Sequence, residues 1–375
     1  MAEAQSDSFD VTVNPDLTDS QRQVSAQGSA GLAAATMQLR SLEFLTDSLR
    51  RSERERRRQR EELEGNARSK GLQSPIAGLA ASWLSVGAAL GAADSETGAE
   101  FGRFNVFSNL DYRFGDREQT ANAPGNDLSM LGITVGADYR VNPDLVIGAT
   151  LGYVANDTEF TTSNGRLKLD SYSLSGLIAW YVWRNLYIDG LARMAFDDFD
   201  ARRRLAGGGT AIGQTDGSEY SLSASSGYEF YYGALNYGPL VRVTYTDISI
   251  DGYRERGGTN PLAYEDQDIE SLRTAVGGDA TYAINTGFGV VVPQAAVEWV
   301  HEFEDDPRLI VAQPTTGGAR FGVPTDPRDS DFYRVALGVT GVLTRGRNIF
   351  FRYEADLSRA NQDNHTVTLG ARLEL

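Results

Sequence analysis

From Phe101 to the C-terminus, apolar residues return at every second position. In the first such run, Phe104, Val106, Ser108, Leu110, Tyr112 and Phe114 alternate with Asn105, Phe107, Asn109, Asp111 and Arg113. In the last, Val367, Leu369, Ala371, Leu373 and Leu375 alternate with Thr366, Thr368, Gly370, Arg372 and Glu374. A period of two means β-strands, each with one greasy face and one small, polar or charged face. Twelve runs fit, at about 103–114, 128–140, 145–156, 167–183, 186–197, 218–232, 237–248, 270–283, 288–303, 331–343, 348–358 and 365–375. Most exceed an ordinary globular strand of ~5–6 residues and suit a tilted membrane strand of ~9–11.

Two architectures use such runs. A soluble sandwich buries the greasy faces between sheets, whereas a membrane barrel turns them to lipid. The connections separate the two. Val141 to Asp144, Trp183 to Leu186, Gly233 to Tyr237, Ala283 to Gly287 and Thr344 to Arg347 are short. Gly115 to Asp127, Asp157 to Arg166, Asp198 to Gly217, Ser249 to Ile269 and Glu304 to Ser330 are longer. Alternation of short and long puts tight turns on one rim and loops on the other, as outer-membrane barrels do. Tyr112, Phe114, Tyr139, Tyr153, Tyr228, Phe230, Tyr231 and Tyr232 lie near run ends, where interfacial girdles belong. The expected fold is an all-β transmembrane barrel of 12 antiparallel strands over residues 100–375, with an N-terminal helical segment threading or plugging the lumen.

The N-terminal portion is a different material. Residues 1–75 balance 11 cations against 12 carboxylates, leaving −15 of the net −16 to the remainder. Residues 1–31 are polar and read as a mobile tail. Residues 32–70 read as a charged helix. In it Leu39, Leu42, Leu45 and Leu49 form one stripe, and the interleaved arginines and glutamates of Arg50 to Glu64 follow. Residues 71–99 form a small-residue linker or pore segment. Ile76, Leu79, Trp83 and Val86 would be its plug contacts, since Ala- and Gly-rich helices pack closely in confined places. The start, Met1-Ala2-Glu3-Ala4, carries no signal-peptide pattern, and a leader removed by processing is expected.

Zero cysteine excludes disulfides, Cys-ligated metals and thiol catalysis, and two histidines leave little for a His-rich metal site. The acidic balance argues against nucleic acid. His301 falls on the lipid-facing side near a rim and His365 just before the last strand, so no nucleophile–base constellation forms. Gly207-Gly208-Gly209 lacks the following Lys-Ser/Thr of a phosphate loop. No enzyme, cofactor or metal is expected.

Gly238 to Glu255 ("GPLVRVTYTDISIDGYRE"), Val291 to Phe303 ("VVPQAAVEWVHEF") and the stretches "YRVALGVTG", "NIFFRYEADLS" and "HTVTLGARLEL" resemble the autotransporter (type V secretion) C-terminal outer-membrane β-barrel domain. The resemblance covers about residues 100–375. It implies a translocator that anchors and exports an N-terminal passenger, with a helix in its lumen. It also implies a Gram-negative outer membrane with its lipids and lipopolysaccharide, periplasmic chaperones and the barrel-assembly machinery as partners. Tyr353, Leu369, Gly370, Leu373 and Leu375 fit the family's carboxyl-terminal assembly signal, although the family usually ends in Phe or Trp. The lumen residues expected to hold the helix are Asp138, Arg242, Asp279, Arg352, Glu354 and Arg372. No Asn-Asn pair of the kind some members cut is present. A stand-alone surface anchor whose N-terminal helix binds a partner, and a small channel, remain the alternatives.

Overall fold

A computed structural model of the chain describes residues 18–69, 103–205, 208–287, 289–343 and 347–375, with residues 51–69 as helical backbone. Among them twelve long strands follow one another: β1 (Phe104–Arg117), β2 (Asn126–Asn142), β3 (Leu145–Phe160), β4 (Arg166–Trp183), β5 (Leu186–Arg204) and β6 (Thr210–Tyr228). The second half comprises β7 (Leu235–Ile250), β8 (Gln267–Tyr282), β9 (Gly289–Glu302), β10 (Asp331–Leu343), β11 (Arg347–Leu357) and β12 (Gln362–Glu374). Each pairs antiparallel with the next, and β12 pairs back onto β1 from Asn105↔Glu374 to Arg117↔Gln362. The sheet is therefore a closed up-and-down cylinder with no free edge, which satisfies the backbone in lipid.

Burial alternates residue by residue along the strands, as in β4, where Leu167, Leu169, Ser171, Ser173 and Ser175 are buried and Tyr172, Leu174, Ile178 and Trp180 are exposed. The outer face is greasy and the inner face largely polar, the reverse of a soluble protein. Outward aromatics form two rings: Tyr139, Trp180, Trp183 and Tyr232 near the short turns, Tyr172, Phe196, Tyr220 and Tyr245 toward the loops. Eight residues separate Tyr172 from Trp180, about 26 Å along a strand and roughly 20 Å along the axis of a tilted barrel.

Several strands run past the loop-side ring. The connections expected at Asp157–Arg166 and Asp198–Gly217 are mostly strand, because β3 and β4 pair up to Glu159↔Arg166 and β5 and β6 up to Arg204↔Thr210. Cross-strand hydrogen bonds continue above the membrane as long as backbone partners remain in register. Four short loop strands, Tyr253–Arg254, Leu262–Tyr264, Leu309–Pro314 and Phe321–Pro324, make a small separate sheet at this mouth.

Helices α1 (Asp19–Arg22) and α2 (Ser25–Ser69) precede the barrel. This corrects the reading of residues 1–31 as a mobile tail over its described part. From Ser25 the chain is helical, and Gln27, Ala30, Leu32, Ala34 and Ala35 are buried. The small side chains that make this stretch look unstructured in the sequence are what let a helix lie close to a barrel wall. The plug residues Ile76, Leu79, Trp83 and Val86, and residues 71–99 as a whole, lie outside the described residues. In the described portion α2 runs through the bore from Ser25 to Arg50. No described helix is long and apolar enough to cross a membrane.

Candidate functional site

The site is the contact between α2 and the inner wall, and it is layered from loops to turns. At the loop end, Val24 joins Tyr253, Leu262, Tyr264, Ile310, Ala312 and Val323 of the small sheet in an apolar cluster. Gln27 donates to the Tyr253 hydroxyl at 3.2 Å and accepts from Gln267 at 2.9 Å. The helix start is thus clasped from above.

About three turns further on, the wall is shaped to the helix. A Cβ placed on Gly132 would stand 2.7 Å from Met37 Cε, and one on Gly152 2.5 Å from Gln38 Nε2. Gln38 Oε1 accepts from Ser173 Oγ at 2.7 Å and Arg193 Nε at 3.0 Å, and Arg193 pairs with Glu219. Arg273 Nη1 donates to Thr36 Oγ1 at 2.9 Å.

Mid-lumen, Arg40 meets three carboxylates: Glu43 at 2.9 Å, Glu298 at 3.2 Å and Glu354 at 2.8 Å. Arg242 joins Glu43 at 3.1 Å and Glu298 at 2.9 Å. Arg334 joins Glu354 at 3.3 Å and Asp356 at 2.8 Å, and Arg352 joins Glu354 at 3.0 Å. Four arginines and four carboxylates form one neutral network that ties α2 to β7, β9, β10 and β11. A balanced, hydrogen-bonded set is the form in which buried charge is tolerated. Below it, Leu42, Phe44, Leu45 and Leu49 pack with Phe107, Val146, Leu177, Leu191 and Phe350. The rings of Phe44 and Phe350 meet edge-on at 5.1 Å.

At the turn end, Arg50 is enclosed by Asp47, Asp189 at 3.3 Å and Glu229, with its guanidinium 3.3 Å from the Tyr187 ring centroid. The side chain is 1% exposed. The cavities beside the middle and lower helix measure about 60 and 30 Å³, and one of about 10 Å³ lies at the loop end beside Gln23 and Tyr253.

Of the lumen residues expected from sequence, Arg242 and Glu354 bind the helix directly, and the Arg352 guanidinium lies 5.0 Å from the Phe44 ring centroid. Asp279 lines the same small cavity as Arg40 and Arg50. Asp138 and Arg372 pair with each other at 2.9 Å across β1, and Asn105 donates to Asp138. Leu369, Leu373 and Leu375 point outward, Tyr353 bonds His365 Nδ1 at 2.8 Å, and Gly370 faces inward against the Phe350 ring. His301 sits beside Trp299 and Phe303 and bonds Asp331 at 3.0 Å.

Sequence reasoning missed Arg40, Glu43, Gln38, Arg50 and Glu298. Arg40, Glu43, Asp47 and Arg50 recur at three, four and three residues, the same step as the leucines. Charges keeping time with an apolar stripe are the ordinary pattern of an amphipathic helix, and that the wall encloses the charged face as well is visible only in the structure.

A family model described as the autotransporter beta-domain matches residues 106–354. Esterase EstA of Pseudomonas aeruginosa is 26% identical over 241 residues, 61% of this chain and 36% of its own length. An extracellular serine protease of Serratia marcescens is 22% identical over 251 residues, 65% of this chain and 23% of its own. The chain thus spans about a third or less of these curated relatives. Among solved structures, the translocator domain of autotransporter NalP from Neisseria meningitidis superposes with a TM-score of 0.60 at 18% identity, covering 75% of this chain and 90% of that one. The beta domain of the Bordetella autotransporter BrkA gives 0.55 at 18%, covering 73% and 100%. These two likenesses are of fold. With more than half its length matched by that family and a helix seated in a closed cylinder, the chain belongs to the autotransporter beta-domain family, a translocator barrel of the Gram-negative outer membrane.

Proposed function

We propose that this barrel carries an N-terminal passenger to the cell surface and is then stopped by its own α2. The observation that supports it most is the direction of the helix. α2 enters at the loop mouth beside Tyr253 and reaches the turn rim at Arg50, and β1 begins at that same rim with Phe104 opposite Tyr139. A chain that lies this way has its amino end outside and its crossing already made. In this reading the leader peptide is removed before assembly. Periplasmic chaperones and the barrel-assembly machinery receive the unfinished barrel through Tyr353, Leu369, Gly370, Leu373 and Leu375, and lipopolysaccharide surrounds the loop-side ring. The barrel's own contribution is physical, a closed wall and a polar bore, rather than bond chemistry.

An epitope inserted at residue 10 should be reached by antibody on intact cells, while one at residue 60 is reached only after the outer membrane is opened. The opposite pattern would reverse the topology and leave the stand-alone surface anchor, whose N-terminal helix binds a partner, as the better reading. The packed lower bore disfavours an open channel.

A further inference from the structure

Toward the loops, α2 does not fill the bore evenly. Ala30, Leu32, Ala34 and Met37 pack against Met130, Val154, Leu167, Phe199, Ile248 and Ile269, all on β2 to β5, β7 and β8. The helix is pressed to that side. Opposite it, β1, β12 and the connection between β9 and β10 stand away, enclosing a cavity of about 450 Å³. That is within the range of small-ligand sites and room for roughly 15 waters.

Six arginines line the chamber: Arg113, Arg117, Arg273, Arg308, Arg328 and Arg359. Three have carboxylate partners: Arg117 with Asp326 at 2.7 Å, Arg273 with Glu302 at 2.9 Å and Arg359 with Asp329 at 3.1 Å. Among the described residues the Arg308 and Arg328 side chains reach only backbone carbonyls, those of Asp268 at 3.3 Å and Glu270 at 2.6 Å. Burial, with Arg328 beside it, pulls the Arg308 guanidinium down to about 10. Arg113 is 7% exposed, and its Nε is shut from solvent without a partner. No described residue accepts a hydrogen bond from it or forms an ion pair with it. Asp356, the carboxylate that acts on it most, is already taken by Arg334 at 2.8 Å and Arg359 at 3.4 Å. The other lining carboxylates, Asp116, Asp306 and Asp363, are exposed. Three of the six arginines therefore lack a carboxylate partner among the described residues; Arg113, the most buried of them, forms the floor, while the exposed acid sits at the lip.

We propose that this floor, built on Arg113, is a binding site for a phosphate group, free or carried on a sugar small enough for the chamber. A guanidinium fork matches phosphate oxygens two at a time, and a buried unpaired cation gains from an anion what solvent no longer supplies. The site is independent of the export reading, since it concerns a chamber beside the helix rather than passage through the bore.

The test is calorimetric titration of the full chain in detergent micelles with inorganic phosphate and, separately, with a hexose monophosphate, at constant ionic strength. Saturable binding is expected. Tighter binding of the sugar phosphate would assign a carried group, and tighter binding of inorganic phosphate a free ion. Arg113→Gln should weaken the affinity about tenfold or more, the loss of one charged hydrogen-bonded contact. Arg113→Lys, which keeps the charge without the fork and guards against a misfolded Gln variant, should fall between. Lys168→Gln, on the outer face, should bind like the parent. Absence of saturable heat with both probes, or equal affinity in the parent and both Arg113 variants, would overturn the proposal.

Discussion

Arg40 shows how little of a lumen can be seen one residue at a time. Its partners Glu298 and Glu354 lie 258 and 314 residues away in sequence, and only the closed cylinder brings them to within 3.2 Å of one guanidinium. Alternation places Glu298 and Glu354 on the inner face, but no local pattern says which helical residue will meet them. Arg40→Ala leaves the buried network one positive charge short, with Glu43 and Glu298 sharing Arg242 alone, and should cost about 3–5 kcal/mol, read as a lowered urea midpoint of the detergent-solubilised barrel. A variant as stable as the parent would mean that water already screens the network. Gly370 makes a different point. The sequence presents it as part of a carboxyl-terminal signal, yet a Cβ there would stand 2.1 Å from the Phe350 ring, which itself rests on Phe44. Gly370→Ala should destabilise the purified, refolded barrel by about 1–3 kcal/mol, and by less when Phe350 is leucine, because neighbours of this kind couple. A defect confined to cells and absent from refolding would assign the glycine to assembly alone.

At the scale of elements, strands were legible and the helix only in part. The strands declare themselves because each residue sees lipid or lumen in strict turn. The first half of α2 does not, because the face it buries is built from Ala30, Ala34 and Ala35, whose hydrophobicity is too slight to raise a periodic signal. Its glutamines find hydrogen bonds in the wall rather than solvent. Past Arg50 the helix continues to Ser69, 19 residues or about 28 Å beyond the rim. Deleting residues 25–50 should leave a barrel that still resists SDS at room temperature but conducts discrete single-channel steps in a planar bilayer, where the full chain passes almost none. A deletion variant as tight as the parent would show that something other than α2 closes the bore. Lining the loop-side stretch with bulk should act more mildly: Gly152→Val, whose side chain would collide with Gln38, is expected to raise conductance in brief flickers without abolishing the folded band.

For the whole molecule, the two aromatic rings fix the depth at which it floats. Trp180 and Trp183 belong to the turn-side ring and Trp299 to the opposite mouth, and all three are exposed on the outer face. In a Trp83→Phe background, lipids brominated near the head group should quench tryptophan fluorescence more strongly than lipids brominated near the chain ends. The reverse order would place the belt elsewhere. The global plan was legible because connection length alternates around the cylinder, and what stayed hidden was whatever depends on distant residues converging inside it.

The pairing of Asn105 with Glu374 has a consequence for when this protein can exist. The last strand of the barrel is the one that zips onto its first, so the chain holds two bare hydrogen-bonding borders until that strand is in place. Such an open ribbon is a template for any stray strand it meets. The cylinder must therefore be finished as a whole and kept from its own kind until then, which makes synthesis, escort and insertion successive events rather than simultaneous ones.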